Sequence, residues 1–310
     1  MEVLEMLETK KGLIITSIAA IGFGSTTIFA QIAYNLGANL MTLLALRFGM
    51  ASFLFLLALK VAKINWNLTF RQMSTLMGLG FTGYAVFTTL YFYGVSLIPA
   101  SLAGFLLASY PIFVSLISYI TGDETMTYHK MLALLISISG LILVLGPAFE
   151  EVDAYGVVAV LLAASMYSIY VVGSNRILKE VHWLPGSTVI TVSAAAFFLI
   201  GGALTGDLTL SVNEGVWYSA MGLALLSTFI AIGGFYLGLC KIGPIKASIV
   251  STLEPLVTAV LASILFREQL TLGQLMGGGL ILFAIIILQD ARRRKDHVPT
   301  FFKLRKLFKY

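Results

Sequence analysis

The chain has 310 residues, of which 58% are hydrophobic and 11% charged, with a mean hydropathy of +0.94. A soluble protein of this size could not cover so much apolar surface, so the composition excludes a water-soluble enzyme or binding domain and points to a membrane-embedded chain. The formal net charge of +5 does not argue for nucleic acid, because the basic excess sits in a tail behind the last apolar segment.

Ten segments are long enough to cross a hydrocarbon core of about 30 Å, which takes about 20 helical residues. They fall at 12–34, 40–62, 73–95, 100–121, 128–147, 155–176, 186–206, 215–240, 244–266 and 271–290. Residues 1–11 form a short N-terminal segment that lacks the positive start of a signal peptide, so the first span is expected to be retained. That span aligns Ser17, Gly24, Thr27 and Gln31 on one face. The second holds Arg47 among apolar residues, and the third aligns Tyr84, Thr88 and Tyr91. Small residues Ser101, Gly104, Ala108 and Ser115 mark helix packing in the fourth, where Tyr110 precedes Pro111. The sixth aligns Tyr167, Tyr170 and Ser174. Tyrosine hydroxyls facing lipid would lack partners, so these stripes should turn inward. With Phe235 and Tyr236 of the eighth span they would suit an apolar or aromatic solute.

The ninth span carries Glu254 on a face with Ala247, Ser251, Thr258 and Ala262, followed by Pro255. Proline should loosen the helix there, as Pro111 should in the fourth. An intramembrane charge costs about 2.5–3.5 kcal/mol on insertion scales, so Glu254 and Arg47 each need a reason. For Glu254 the readings are a cavity carboxylate that meets a cationic group or carries a proton, and a tie between helices. For Arg47 they are a structural role, pairing with carbonyls or snorkelling outward, and contact with a substrate carboxylate. Thr271 with Gln274 reads as a capping box that starts the last helix. Trp66, Trp183 and Trp217 lie at span ends, where aromatic belts sit.

Residues 91–127 reappear as 235–271, an offset of 144: Gly94 meets Gly238, Pro111 meets Pro255, Glu124 meets Glu268 and Thr127 meets Thr271. Gly12, Ala19 and Ala20 likewise meet Gly156, Ala163 and Ala164. The chain therefore divides into two five-helix copies, 12–147 and 155–290, joined by a linker at 148–154 and followed by a tail at 291–310. Five is odd, so the second copy must enter the membrane from the opposite side, giving an all-α polytopic membrane protein of ten transmembrane helices in two inverted repeats.

Lysine and arginine stay cytoplasmic. With both termini inside, all of them except Arg47 and Arg267 fall on the inner side, while Glu150, Glu151, Asp153, Asp207 and Glu214 fall outside. The tail, with Phe301, Phe302, Leu304 and Phe308 among Lys303, Arg305, Lys306 and Lys309, reads as a basic amphipathic segment on anionic inner-leaflet lipids. A single cysteine, Cys240, excludes an internal disulfide or a cysteine-based metal cluster, and no catalytic motif appears, so neither metal, cofactor nor enzyme activity is expected.

The two copies, Leu46-Arg47-Phe48, Glu254-Pro255 and the glutamate three residues before Thr271 together resemble the EamA branch of the drug/metabolite transporter superfamily. That resemblance covers nearly all the chain except its tails. It implies a ten-helix basket in the plasma membrane whose central cavity opens alternately to either side, and export of metabolites, amino acids among them. Here the first copy departs from the second, with Tyr110 where the second has Glu254. The substrate-contacting residues are expected to be Glu254, Gln31, Tyr84, Thr88, Tyr91, Tyr110, Tyr167, Ser251 and Phe235. A zwitterion would need both Glu254 and Arg47, whereas a proton-coupled exporter of lipophilic cations would need Glu254 alone. A passive channel would need a continuous polar lining, which the aromatic stripes oppose.

Overall fold

The computed structural model describes residues 2–64, 66–121, 128–145, 152–177, 180–251 and 253–296, and some helical side chains within these ranges, 242–249 among them, are not described. Glu124, the acidic residues at 150–151 and the tail beyond 296 therefore lie outside the described residues. All regular structure among the described residues is helical.

The first pass is α1 (Glu2–Gly24) and α2 (Thr26–Asn35), joined at Ser25; the second is α3 (Leu40–Ala62). The third runs through α4 (Phe70–Gly78), a π-helical turn (Leu79–Tyr84) and α5 (Ala85–Val95), and the fourth through α6 (Ala100–Leu107) and α7 (Tyr110–Ile120). Then follow α8 (Tyr128–Leu145), α9 (Ala154–Ile177) and α10 (Trp183–Thr205). Next come α11 (Glu214–Ala224), a second π-helical turn (Leu225–Ile230), α12 (Ala231–Ser251), α13 (Leu253–Phe266) and α14 (Leu272–Asp296). Five stretches of the described residues are long and apolar enough to cross a membrane by themselves, at Lys10–Asn35, Leu40–Ala62, Ala154–Ser174, Trp183–Thr205 and Glu214–Gly238. Ala100–Val114, Met131–Val144, Leu253–Phe266 and Leu272–Ile287 are shorter apolar helices. The chain is a multi-pass, membrane-embedded helical bundle.

Helix ends follow local chemistry. Asn39 caps α3 by accepting from the Thr42 amide at 2.7 Å. Thr271 and Gln274 form the expected reciprocal box, the Thr271 amide donating to Gln274 at 3.0 Å and the Gln274 amide to the Thr271 hydroxyl at 3.2 Å. Pro111 and Pro255 do not loosen a continuous helix at their own positions; each lies in the first turn of a new one, α7 and α13, where a missing amide is harmless. A proline clashes with the carbonyl four residues before it. The preceding helices end at Leu107 and Ser251, which are those residues. Helix α12 also runs on through the boundary expected between 240 and 244.

The packing is reciprocal between the copies. A Cβ on Gly94 would strike Val160 and approach the Gly156 carbonyl, whereas one on Gly238 would strike Thr16 and approach the Gly12 carbonyl. Each pair becomes the other on shifting by 144, and only glycine lets the backbones approach so closely. Similarly, Gly140 packs on Gly277, and the shifted positions Ala284 and Ala133 share a buried cluster. The first pass thus lies on the eighth as the third lies on the sixth, while the second pairs with the seventh and the fifth with the tenth.

Candidate functional site

The breaks before α7 and α13 share one neighbour at the centre of the bundle, since Tyr167 is within electrostatic reach of both Tyr110 and Glu254. Ser168 of α9 donates to the Tyr110 carbonyl at 2.9 Å. In the other copy Thr258 donates to the Gly24 carbonyl at 2.7 Å, and Gly24 lies against the Glu254 carbonyl. The first pass and α9 therefore hold the two broken helices at equivalent points.

One wall of this centre is aromatic. The π-helical turn ends at Tyr84, and from there Phe87, Thr88 and Tyr91 follow at helical spacing, all buried. Phe87 packs on Tyr167 with ring centroids 4.6 Å apart, Tyr110 meets Tyr167 edge-on at 5.0 Å, and Tyr84 meets Tyr170 at 5.0 Å. The aromatic stripes of the third and sixth passes thus form one surface. Thr88 is turned to its own helix, donating to the Tyr84 carbonyl at 2.7 Å.

Glu254 lies beside this surface. It sits in the first turn of α13, where the helix dipole favours a negative charge. Its side chain is half-buried, and among the described residues no hydrogen bond or ion pair engages its carboxylate. Tyr91 and Tyr167 are both within electrostatic reach of it. Tyr91 is held by a 2.9 Å hydrogen bond with Thr27. One turn further along α2, the Gln31 Oε1 is buried with no partner among the described residues.

Arg47 does not snorkel. It is 4% exposed, its Nε donates to the Thr228 hydroxyl at 3.0 Å, and its guanidinium lies 5.0 Å from the Phe48 ring and 5.2 Å from the Phe92 ring. Thr228 can accept because it sits on the second π-helical turn and donates its own proton to the Leu223 carbonyl, five residues back, at 2.8 Å. Tyr91 is within electrostatic reach of Arg47 as well as Glu254. Cation–π contact of a desolvated guanidinium is worth about 2 kcal/mol, which offsets part of its burial.

Of the residues expected at the site, Glu254, Tyr84, Tyr91, Tyr110 and Tyr167 come together, with Gln31 at the edge. Phe235 lies outside the ring cluster, meeting Tyr236 edge-on at 6.0 Å. Ser251 ends α12, three residues before Glu254. Sequence reasoning missed Phe87, which was legible from its spacing to Tyr84 and Tyr91. It also missed Thr228, for which no local signal exists. Trp183, assigned to an aromatic belt, also stacks on Tyr236 at 5.6 Å.

Interrupted helices in a multi-pass bundle, beside polar side chains and an intramembrane carboxylate, are the features of a membrane transporter. The chain belongs to the EamA-like transporter family, which matches it once over residues 10–146 and again over 154–289. It is 27% identical over 254 residues to an uncharacterized transporter of Archaeoglobus fulgidus, covering 80% of this chain and 88% of that one. It is 25% identical over 288 residues to the uncharacterized transporter YcbK of Bacillus subtilis, covering 90% and 92%. A crystal structure of similar fold superposes with a TM-score of 0.66 at 17% identity, covering 93% of this chain and 99% of that one.

Proposed function

We propose that the protein is an alternating-access carrier that exports small organic solutes bearing an ammonium group, with amino acids and similar amphiphilic metabolites the first class. The observation that carries this reading is a carboxylate, Glu254, left without a partner among the described residues beside a wall of tyrosines. A carboxylate neutralises an ammonium and aromatic faces attract it, so the two walls together suit a cation with an apolar body. In this reading the two copies are inverted in the plasma membrane, both termini are cytoplasmic, and the broken helices rock about the centre. The tail beyond 296 would rest on anionic inner-leaflet lipids.

A second reading, proton-coupled export of lipophilic cations, draws on the same unpaired carboxylate. Arg47 favours neither, because its contacts are to Thr228 and two aromatic rings.

Transport of labelled amino acids, amines and lipophilic cations into proteoliposomes tests the proposal. Amine-bearing solutes should be carried by the wild type and not by Glu254→Gln reconstituted at equal density. Equal rates in the two proteins, with the same pH dependence, would reduce Glu254 to a structural residue. Cysteine labelling in intact cells tests orientation: a cysteine at Asp153 should react from outside and one at Lys303 should be protected.

A further inference from the structure

Thr27, Gln31 and Tyr34 follow one another at helical spacing on α2. Two of them are committed within the protein: Thr27 bonds Tyr91 at 2.9 Å, and Tyr34 donates to the Phe92 carbonyl at 3.0 Å. Gln31, between them, is not. Its Oε1 is buried without a partner among the described residues, although the residue as a whole is only half-buried. A buried acceptor left unpaired costs about 1–3 kcal/mol, and a donor brought in from outside removes that cost.

Helix α2 runs beside α13 in the same direction. Gly24, just ahead of α2, lies against the Glu254 carbonyl and Val257, and Ile28 shares a buried cluster with Ala262. Gln31 is two turns beyond Gly24, so its backbone stands about 10 Å from the level of Glu254 at 1.5 Å per residue. The Glu254 carboxylate and the Gln31 oxygen are both acceptors, and the described residues supply a donor to neither. Tyr91 links the two, since it bonds Thr27 one turn before Gln31 and is within electrostatic reach of Glu254.

We propose that Gln31 is the second hydrogen-bonding point of the solute site, so that the solute is an alkyl ammonium with a further N–H or O–H donor, as in a short diamine or amino alcohol. This deepens the reading of Glu254 as the partner of the ammonium and rests on it. Donors about 5 Å apart, the span of roughly three or four carbons, bridge acceptors about 10 Å apart once a hydrogen bond of about 3 Å is added at each end. The Gln31 amide is tied to nothing, so it turns about its last side-chain bond to bring Oε1 to the solute. A quaternary lipophilic cation has no N–H to offer either acceptor, so Gln31 favours amines over such cations.

Two isomers of one formula, 4-aminobutan-1-ol and 3-methoxypropylamine, make the test. Each carries one ammonium and one oxygen, and only the alcohol donates from its oxygen. Their affinities for the purified protein in detergent follow from the rise in melting temperature with concentration. The alcohol should bind about ten-fold more tightly than the ether, the size of one net hydrogen bond. Gln31→Met, similar in volume and apolar, should bring the isomers together, whereas Glu254→Gln should weaken both alike. Isomers that bind the wild type equally, while both still depend on Glu254, would overturn the role of Gln31 and leave that of Glu254 standing. A preference that survives in Gln31→Met would do the same. Binding of both isomers that ignores Glu254→Gln, or no binding of either, would overturn the two roles together. The wild-type comparison decides against Gln31 by itself even where Gln31→Met fails to fold.

Discussion

Tyr84, Tyr91 and Tyr110 stand in the first copy where Thr228, Phe235 and Glu254 stand 144 residues later, and Tyr167 and Tyr170 of the second copy answer to Phe23 and Thr26 of the first. The helix contacts around them show no such divergence. Gly94 on Gly156 and Val160 matches Gly238 on Gly12 and Thr16, and the breaks before Pro111 and Pro255 coincide. Close backbone approach tolerates almost no change in volume, so the scaffold positions stayed paired. Residues that face the centre are not under that constraint, and there one wall became aromatic while the other acquired a charge.

The contrast is sharpest at Glu254. Glu254→Gln should lower transport of an ammonium-bearing solute by roughly 100-fold or more, because removing one partner of a desolvated charge pair costs about 3–5 kcal/mol. Tyr110→Phe, at the equivalent position, should lower it only a few-fold, within the roughly 0.5–1.5 kcal/mol of one hydrogen bond. Similar losses from both changes would mean that the two walls are not chemically distinct.

Gly94→Val and Gly238→Val break the comparison from the scaffold side. Each should destabilise the purified protein by about 1–3 kcal/mol through overpacking, read as a lowered melting temperature in detergent. A fall for one and none for the other would show that the packing is not truly reciprocal.

Arg47 has no charged counterpart, since Thr191 stands 144 residues later. Arg47→Lys keeps the charge and loses the planar contact with Phe48 and Phe92, so a stability loss of about 1–2 kcal/mol is expected with substrate affinity unchanged. A selective change in affinity would place Arg47 at the solute instead.

The smallest effect is expected at Glu268. Its carboxylate accepts from the Ala100 amide at 2.9 Å, the Ser101 amide at 3.1 Å and the Ser101 hydroxyl, capping α6 from the loop beyond α13. Glu268→Gln should cost about 1 kcal/mol, as other helix caps do. Faster hydrogen exchange at Ala100 and Ser101 would report it.

Much of this arrangement was legible beforehand. The duplication, the capping box at Thr271 and the tyrosine stripes all follow from spacing, because each rests on residues within a few turns or at a fixed offset. The position of the helix breaks was legible too, had the clash been counted back four residues from Pro111 and Pro255. The π-helical turns left no mark in the sequence, since 79–84 and 225–230 contain nothing that forbids an ordinary helix. The partner of Arg47 lies 181 residues away, and only the folded chain could supply it. Trp183 was read from its place in the span, which gave its depth and not its neighbours.

The cap on α6 also bears on how the proposed carrier would open. Glu268 joins the end of the ninth pass to the start of the fourth, so separating them there strips three donors from one carboxylate. The positions that answer to Ala100 and Ser101 are Pro244 and Ile245, which have no amide hydrogen and no hydroxyl respectively. A carboxylate brought to that other end would find one of the three donors. If the protein is the alternating-access carrier proposed above, the closure that Glu268 makes would hold more firmly than its counterpart, by two donors that a proline and an isoleucine do not supply.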